Sequence, residues 1–148
     1  MEPVYQETIQ RIKEKVSKCD VGIMLDETTD SMERYVLNIL VFPLAEEKVK
    51  PMFLKMYELQ KVNASTVMQS ILDFFQKLWP SGTDFEKVLL VVTDQAPYML
   101  SAIKQLKPLF PKLKHVTCLA HALHRVCDSI RNEYNIANEF ISALKKIL

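Results

Sequence analysis

A chain of 148 residues with 49% hydrophobic and 25% charged side chains, and only two glycines, has the composition of one compact globular domain. That excludes a disordered tail, a collagen-like fibre and a glycine-rich linker. Nineteen Lys and Arg against eighteen Asp and Glu leave a net charge of +1, so any preference for nucleic acid or membrane must come from local patches.

The first element is an amphipathic helix from Val4 to Ser17, with Val4, Ile9, Ile12 and Val16 on roughly one face among Glu, Gln, Lys and Arg. Val21 to Leu25 is a continuous apolar run that ends in Asp26-Glu27-Thr28-Thr29-Asp30, the pattern of a strand buried on both faces. Two β-rich segments follow, Arg34 to Leu44 and Val49 to Leu59, with Ala45-Glu46-Glu47-Lys48 as the hairpin connection. Pro43 and Pro51 place those strand ends at an edge or a bulge, because proline cannot donate to a ladder. Ala64 to Trp79 repeats its apolar side chains with a period near 3.6 and stops at Pro80-Ser81-Gly82, which predicts a helix. Val88 to Val92 is a second apolar strand, closing on Thr93-Asp94. A helix from about Pro97 to Leu106, a short strand over His115 to Cys118, and helices from His121 to Glu133 and Ile136 to Leu148 complete the chain. The order is an α/β pattern with a mixed sheet.

No run of about 18 uncharged apolar residues is present, and Met1-Glu2-Pro3 lacks the layout of a signal peptide, so the expectation is a soluble intracellular protein with no membrane partner. Cys19, Cys118 and Cys127 are an odd count without framework spacing, which predicts free thiols.

Charge is uneven. Residues 1–74 hold 9 basic and 12 acidic side chains, and residues 75–148 hold 10 and 6. Five acids and no base lie between Lys18 and Arg34. Between Asp94 and Asp128 there are Lys104, Lys107, Lys112, Lys114, Arg125 and three histidines, with no acid. For charge runs in general two solvated faces are the better reading; a carboxylate site beside a phosphate-binding surface is the sharper one.

Two apolar strands thus end at Asp26 and Asp94, and sites in open α/β sheets form at the carboxyl ends of neighbouring parallel strands. Adjacent there, the two carboxylates could hold a divalent cation for phosphoryl transfer. An aspartate after a strand is also an ordinary turn or helix cap, and on spacing alone Asp94 before Gln95-Ala96-Pro97 favours the cap. His115, Cys118, His121, His124 and Cys127 recur every third residue. Each step of three turns about 60° back around a helix, so the five cannot converge on one zinc ion. Cys127 and His124 read better as a small buried residue and a capping or groove-lining one. There is no phosphate-binding glycine loop and no nucleophile elbow.

LDETTD (Leu25 to Asp30) after an apolar strand, the pair RYVLNILVFPL and VKPMFLKMYEL, TDQAPYM (Thr93 to Met99) after VLLVV, and HVTCLAHALHRV (His115 to Val126) resemble, in order and spacing, the first half of the ribonuclease-H-like core of hAT-superfamily transposases. The resemblance spans roughly Val21 to Arg131. It implies a mixed five-stranded sheet of order 3-2-1-4-5 flanked by helices, with Asp26 as first and Asp94 as second catalytic aspartate, holding Mg²⁺ or Mn²⁺ where such a site is active. The CxxH motif of that family falls on Cys118 and His121, near the end of the fifth strand and the start of the following helix, in a structural or DNA-proximal role from which no zinc is inferred.

The departures imply as much. The family's third metal-binding acid is a glutamate beyond a helical insertion, and Glu133 and Glu139 lie outside its motif. The zinc-finger module and the dimerisation region have no counterpart here. The expected organisation is a single truncated domain: a lead-in helix over 1–19, a core over 20–132, and 133–148 as the start of the insertion or a C-terminal helix. The expected function is a catalytically incomplete, transposase-derived module that binds nucleic acid through Lys104, Lys107, Lys112, Lys114 and Arg125, or binds protein. Its partners would be DNA, a second copy or other transposase-derived chains, and its location nuclear by resemblance. The alternatives are a metal-dependent nuclease or transposase core active only within a longer chain, and an oligomerisation domain using Ile136, Phe140, Ile141, Leu144 and Ile147.

Overall fold

The computed structural model describes residues 2–44 and 50–144. In chain order they form α1 (Glu2–Val16), β1 (Val21–Thr29), β2 (Tyr35–Pro43), β3 (Met52–Leu59), α2 (Ala64–Leu78), a 3-10 turn (Phe85–Lys87), β4 (Val88–Thr93), α3 (Pro97–Leu106), β5 (Lys114–Thr117), α4 (Leu119–Glu133) and α5 (Asn135–Leu144). The proposed hairpin residues 45–48 lie outside the described residues. By compactness the chain divides into residues 1–116 and residues 117–148.

The sheet has the order β3-β2-β1-β4-β5. β1 pairs antiparallel with β2 from Val21 opposite Pro43 to Thr29 opposite Tyr35, and β2 pairs antiparallel with β3. β1 runs parallel to β4, with Ile23 opposite Val91 and Met24 opposite Val92. β3 is an edge strand, and β2 carries a register shift between Ile39 and Leu40 where it meets β3. Pro43 is the last residue of interior strand β2, so its missing N–H falls at the ladder's end.

β1 is longer than its apolar run. The expected stop at Leu25 does not occur, because pairing with β2 continues through Asp26, Glu27, Thr28 and Thr29. A tight connection over 30–34 holds that extension. The Asp30 Oδ1 accepts from the N–H groups of Met32 and Arg34 at 2.8 and 3.0 Å, and its Oδ2 receives Arg34 Nε and Nη2 at 2.8 and 2.6 Å. Glu33 takes a φ of 60° to close the turn. The backbone hydrogen bonds to Asp30, with Arg34 beside it, hold the carboxyl below its usual value.

Alternation along the paired strands sorts the two faces of the sheet. Val21, Ile23 and Leu25 of β1, Leu37, Ile39 and Val41 of β2, and Val91 of β4 are buried in one core with Ile12 and Val16 of α1. α2 adds Val67, Ile71, Phe74, Phe75 and Leu78 to that core, and α3 adds Met99, Ala102, Ile103 and Leu106. α2 begins at a capping box in which Asn63 Oδ1 accepts from Thr66 N at 3.0 Å and Thr66 Oγ1 accepts from Asn63 N at 3.2 Å. α3 begins with Pro97, whose missing N–H would have no partner in a first turn. Phe110 locks the far end, its ring 5.3 Å from Phe75 and 4.9 Å from Phe85.

The opposite face of β1 carries Gly22, Met24 and Asp26, with Phe42, Leu40 and Asn38 of β2 directly across. Glycine is required at 22 because a Cβ there would stand 2.3 Å from Cε2 of the Phe42 ring. Among the described residues no helix is long and apolar enough to cross a membrane.

In the second unit α4 and α5 contact each other, with Asn138 Nδ2 donating to the Arg131 carbonyl at 2.9 Å. No residue of α4 is buried. Leu119, Leu123, Val126 and Ile130 on α4, and Ile136, Phe140 and Leu144 on α5, are exposed, as expected for three of the five apolar positions named on the last helix. Ile141 is half-buried, and Ile147 lies outside the described residues.

Candidate functional site

Parallel pairing carries β1 and β4 side by side, and the paired register ends with Met24 opposite Val92. Two residues beyond that pair stand Asp26, within β1, and Asp94, just past the end of β4, both half-buried. The two sequence-predicted acids therefore come to neighbouring positions at the carboxyl end of the sheet. Asp26 sits inside β1 rather than at its end, opposite Asn38. Asp94 is the first residue after β4.

Asp94 has a structural task. Its Oδ1 accepts from the Ala96 N–H at 3.0 Å, forming a turn two residues long that delivers the chain to Pro97 at the start of α3. The expected helix cap is thus this turn; Ala96 itself occupies the cap position and has no side chain to offer. Its neighbour Thr93 is buried on the core side and donates its hydroxyl to the Asp94 carbonyl at 2.6 Å. The same hydroxyl lies 2.9 Å from His115 Nε2 on β5, within hydrogen-bonding distance. Burial first, and Lys107 second, lower the His115 pKa and favour the neutral ring.

Two residues that sequence reading passed over complete the cluster. Glu27 points to the core side of β1, and its Oε2 accepts from Tyr98 Oη of α3 at 2.8 Å. Burial, then Glu27, push the Tyr98 phenol above the ordinary tyrosine value. The available signal was a tyrosine one position after Pro97 on the helix that leaves β4, within reach of the acid run leaving Leu25. Among the described residues no group of three or more His, Cys, Asp or Glu is placed to hold a metal ion. Mg²⁺ takes six oxygen ligands in near-ideal geometry, and two carboxylates, one already accepting a backbone N–H, do not make such a site. The residues present do not fit a two-metal centre.

The basic candidates divide. Lys104 and Lys107 at the end of α3 and Lys114 at the start of β5 are exposed, and none is in an ion pair among the described residues. Lys112 is instead 3.1 Å from Glu86. Arg125 belongs to α4 in the second unit. Cys118 immediately precedes α4 and His121 is in its first turn. The His121 backbone N–H, then its ring, hold the Cys118 thiol below its usual pKa. Cys127, expected as a buried residue, is exposed, because α4 buries no side chain. His124 pairs with Asp128 at 3.2 Å.

Three antiparallel strands, a parallel fourth and the order β3-β2-β1-β4-β5 define a ribonuclease-H-like mixed α/β fold, with one acid within β1 and one just past β4. The chain belongs to the family described as Domain of unknown function (DUF659), which it matches over residues 3–147. Among solved structures it is similar to the catalytic core domain of BIV integrase at 15% identity, covering 66% of this chain and 54% of that one, with a TM-score of 0.39. The HTLV-2 integrase catalytic core in complex with magnesium matches at 16% identity over 78% and 71%, TM-score 0.38. The catalytic domain of human endonuclease V matches at 15% over 62% and 46%, TM-score 0.35. The chain spans about half the length of the BIV integrase core domain that it matches. No curated protein matches it.

Proposed function

We propose that this chain is a hAT-transposase-derived ribonuclease-H-like module that binds nucleic-acid backbone and does not itself cut it. The observation that carries this reading is the contrast along residues 94–114. Asp94 is engaged in a local turn, whereas Lys104, Lys107 and Lys114 follow it exposed and outside any ion pair among the described residues. Ammonium groups so placed neutralise phosphates without reading bases, which gives weak and salt-sensitive binding. Nuclear location belongs to the same proposal. The test is a fluorescence-anisotropy titration of duplex and single-stranded DNA at low salt. Binding weakened at least tenfold in Lys104→Gln/Lys107→Gln/Lys114→Gln, and lost by 0.2 M salt, is the expected result. The absence of binding to either form would remove the reading.

A second reading is favoured by the β1–β4 register. It takes Asp26 and Asp94 as two of three acids of a metal-dependent nuclease whose third acid lies elsewhere in a longer chain. Mn²⁺ line broadening in NMR spectra separates the two. Saturable binding abolished by both Asp26→Asn and Asp94→Asn supports the nuclease, and equal broadening in wild type and variants supports the binding module.

A further inference from the structure

A groove lies between α1, the edge strand β3 and α2, wholly within residues 1–116 and away from the carboxyl ends of β1 and β4. Its volume is about 680 Å³, in the range of small-molecule sites. Three lysines from three elements line it: Lys13 of α1, Lys55 of β3 and Lys77 of α2. Asp73 is the one acid in that lining among the described residues, and it is taken by Lys77 at 2.6 Å.

The lining thus carries three ammonium groups against one carboxylate, and Lys55 as well as Lys77 acts on that carboxylate. The ammonium groups of Lys55 and Lys77 stand 5.8 and 5.6 Å from the centroid of one ring, that of Tyr57. Neither Lys13 nor Lys55 has an ion pair among the described residues. Lys13 and Lys55 belong to the half of the chain, residues 1–74, that holds 9 basic against 12 acidic residues, so average composition does not account for their placement. Like charges held close repel, and an anion between them relieves that repulsion. At the rim Tyr5 offers an exposed aromatic face beside the apolar side chain of Ile9, a surface for a planar ring.

We propose that this groove binds a nucleoside monophosphate unit, its phosphate between Lys13 and Lys55 and its base against Tyr5. The unit can arrive as a free nucleotide or as one residue of a single strand, since both present the same phosphate and ring. The site is independent of the lysines on α3 and β5.

Calorimetric titration of the 148-residue chain with AMP, inorganic phosphate and an eight-residue oligo-dT tests it. AMP or the oligonucleotide binds saturably, at least tenfold more tightly than inorganic phosphate, and Lys13→Gln/Lys55→Gln weakens that binding at least tenfold. Lys13→Arg/Lys55→Arg retains it, and the Lys104→Gln/Lys107→Gln/Lys114→Gln variant leaves AMP binding unchanged, which separates this site from the backbone-binding surface proposed above. Groove-dependent binding of oligo-dT without AMP binding assigns the strand as source, and the converse assigns the free nucleotide. Should the double Gln variant unfold on heating earlier than wild type, Tyr5→Ala at the exposed rim supplies the same test by abolishing the preference for AMP over phosphate. No binding of either nucleotide probe, unchanged binding in the Gln and Ala variants, or phosphate binding as tight as AMP overturns the proposal.

Discussion

Two tyrosines in two regions of this molecule meet a carboxylate in opposite ways. At the carboxyl end of the sheet Tyr98 donates to Glu27 at 2.8 Å, tying α3 to β1. In the α1–β3–α2 groove Tyr57 lies beside Asp73, yet its hydroxyl is buried and makes no hydrogen bond of full geometry, while Lys77 pairs with the same carboxylate at 2.6 Å. Burial first, and the neighbouring acid second, raise both phenols above the ordinary value. The first region uses its polar groups to join its own elements. The second leaves a buried hydroxyl without a hydrogen bond and gathers more ammonium groups than carboxylates.

The largest effect that would separate the regions comes from Gly22→Ala. Its Cβ would enter the Phe42 ring at 2.3 Å, on the sheet face opposite the core, near the start of β1. Overpacking of this kind costs about 1 to 3 kcal/mol. Urea denaturation should show the loss, while groove binding measured on the folded fraction stays unchanged. A stability equal to wild type would mean that β1 is not pressed against Phe42.

Tyr98→Phe comes next. Glu27 loses its donor while still half-buried, for about 1 kcal/mol of destabilisation. Asp94→Ala should cost a comparable 0.5 to 2 kcal/mol, by the same order as a lost helix cap. Asp94→Asn keeps an Oδ1 acceptor for Ala96 and should lie within about 0.5 kcal/mol of wild type. Thermal unfolding of the two Asp94 variants distinguishes a turn residue from an acid whose charge matters: equal losses in Ala and Asn would point to the charge.

The two regions also differ in how far they could be read from the chain. β1 and β4 announced themselves as apolar runs, and both acids followed from where those runs stop. The extension of β1 to Thr29 did not, because it depends on pairing with β2 and on the Asp30–Arg34 turn rather than on hydrophobicity. Helix α2 was legible through its period, which returns Val67, Ile71, Phe74 and Leu78 to one side. The groove was illegible. Lys13, Lys55 and Lys77 belong to three elements, and nothing short of the packing of α1 and α2 across β3 brings them together. The exposure of Cys127 escaped prediction for a related reason: a small apolar residue is buried only if something covers it, and α4 buries none of its side chains.

The smallest expected change is Tyr57→Phe. Removing a buried hydroxyl that has no partner removes a desolvation cost and no bond, so stability near pH 7 should stay within about 0.5 kcal/mol of wild type or rise. The pH dependence then sharpens the contrast with Tyr98. A phenol whose folded pKa lies above its unfolded value of about 10 favours folding below that value. The contribution is lost as pH climbs through the folded pKa, since the unfolded chain releases its proton first. Wild type should therefore lose stability between pH 10 and its alkaline unfolding, and each Phe variant should flatten part of that slope. At neutral pH only Tyr98→Phe should weaken the fold. If Tyr57→Phe proves equally costly there, its hydroxyl is bonded to Asp73 after all, and the groove resembles the sheet's carboxyl end more closely than the geometry indicates.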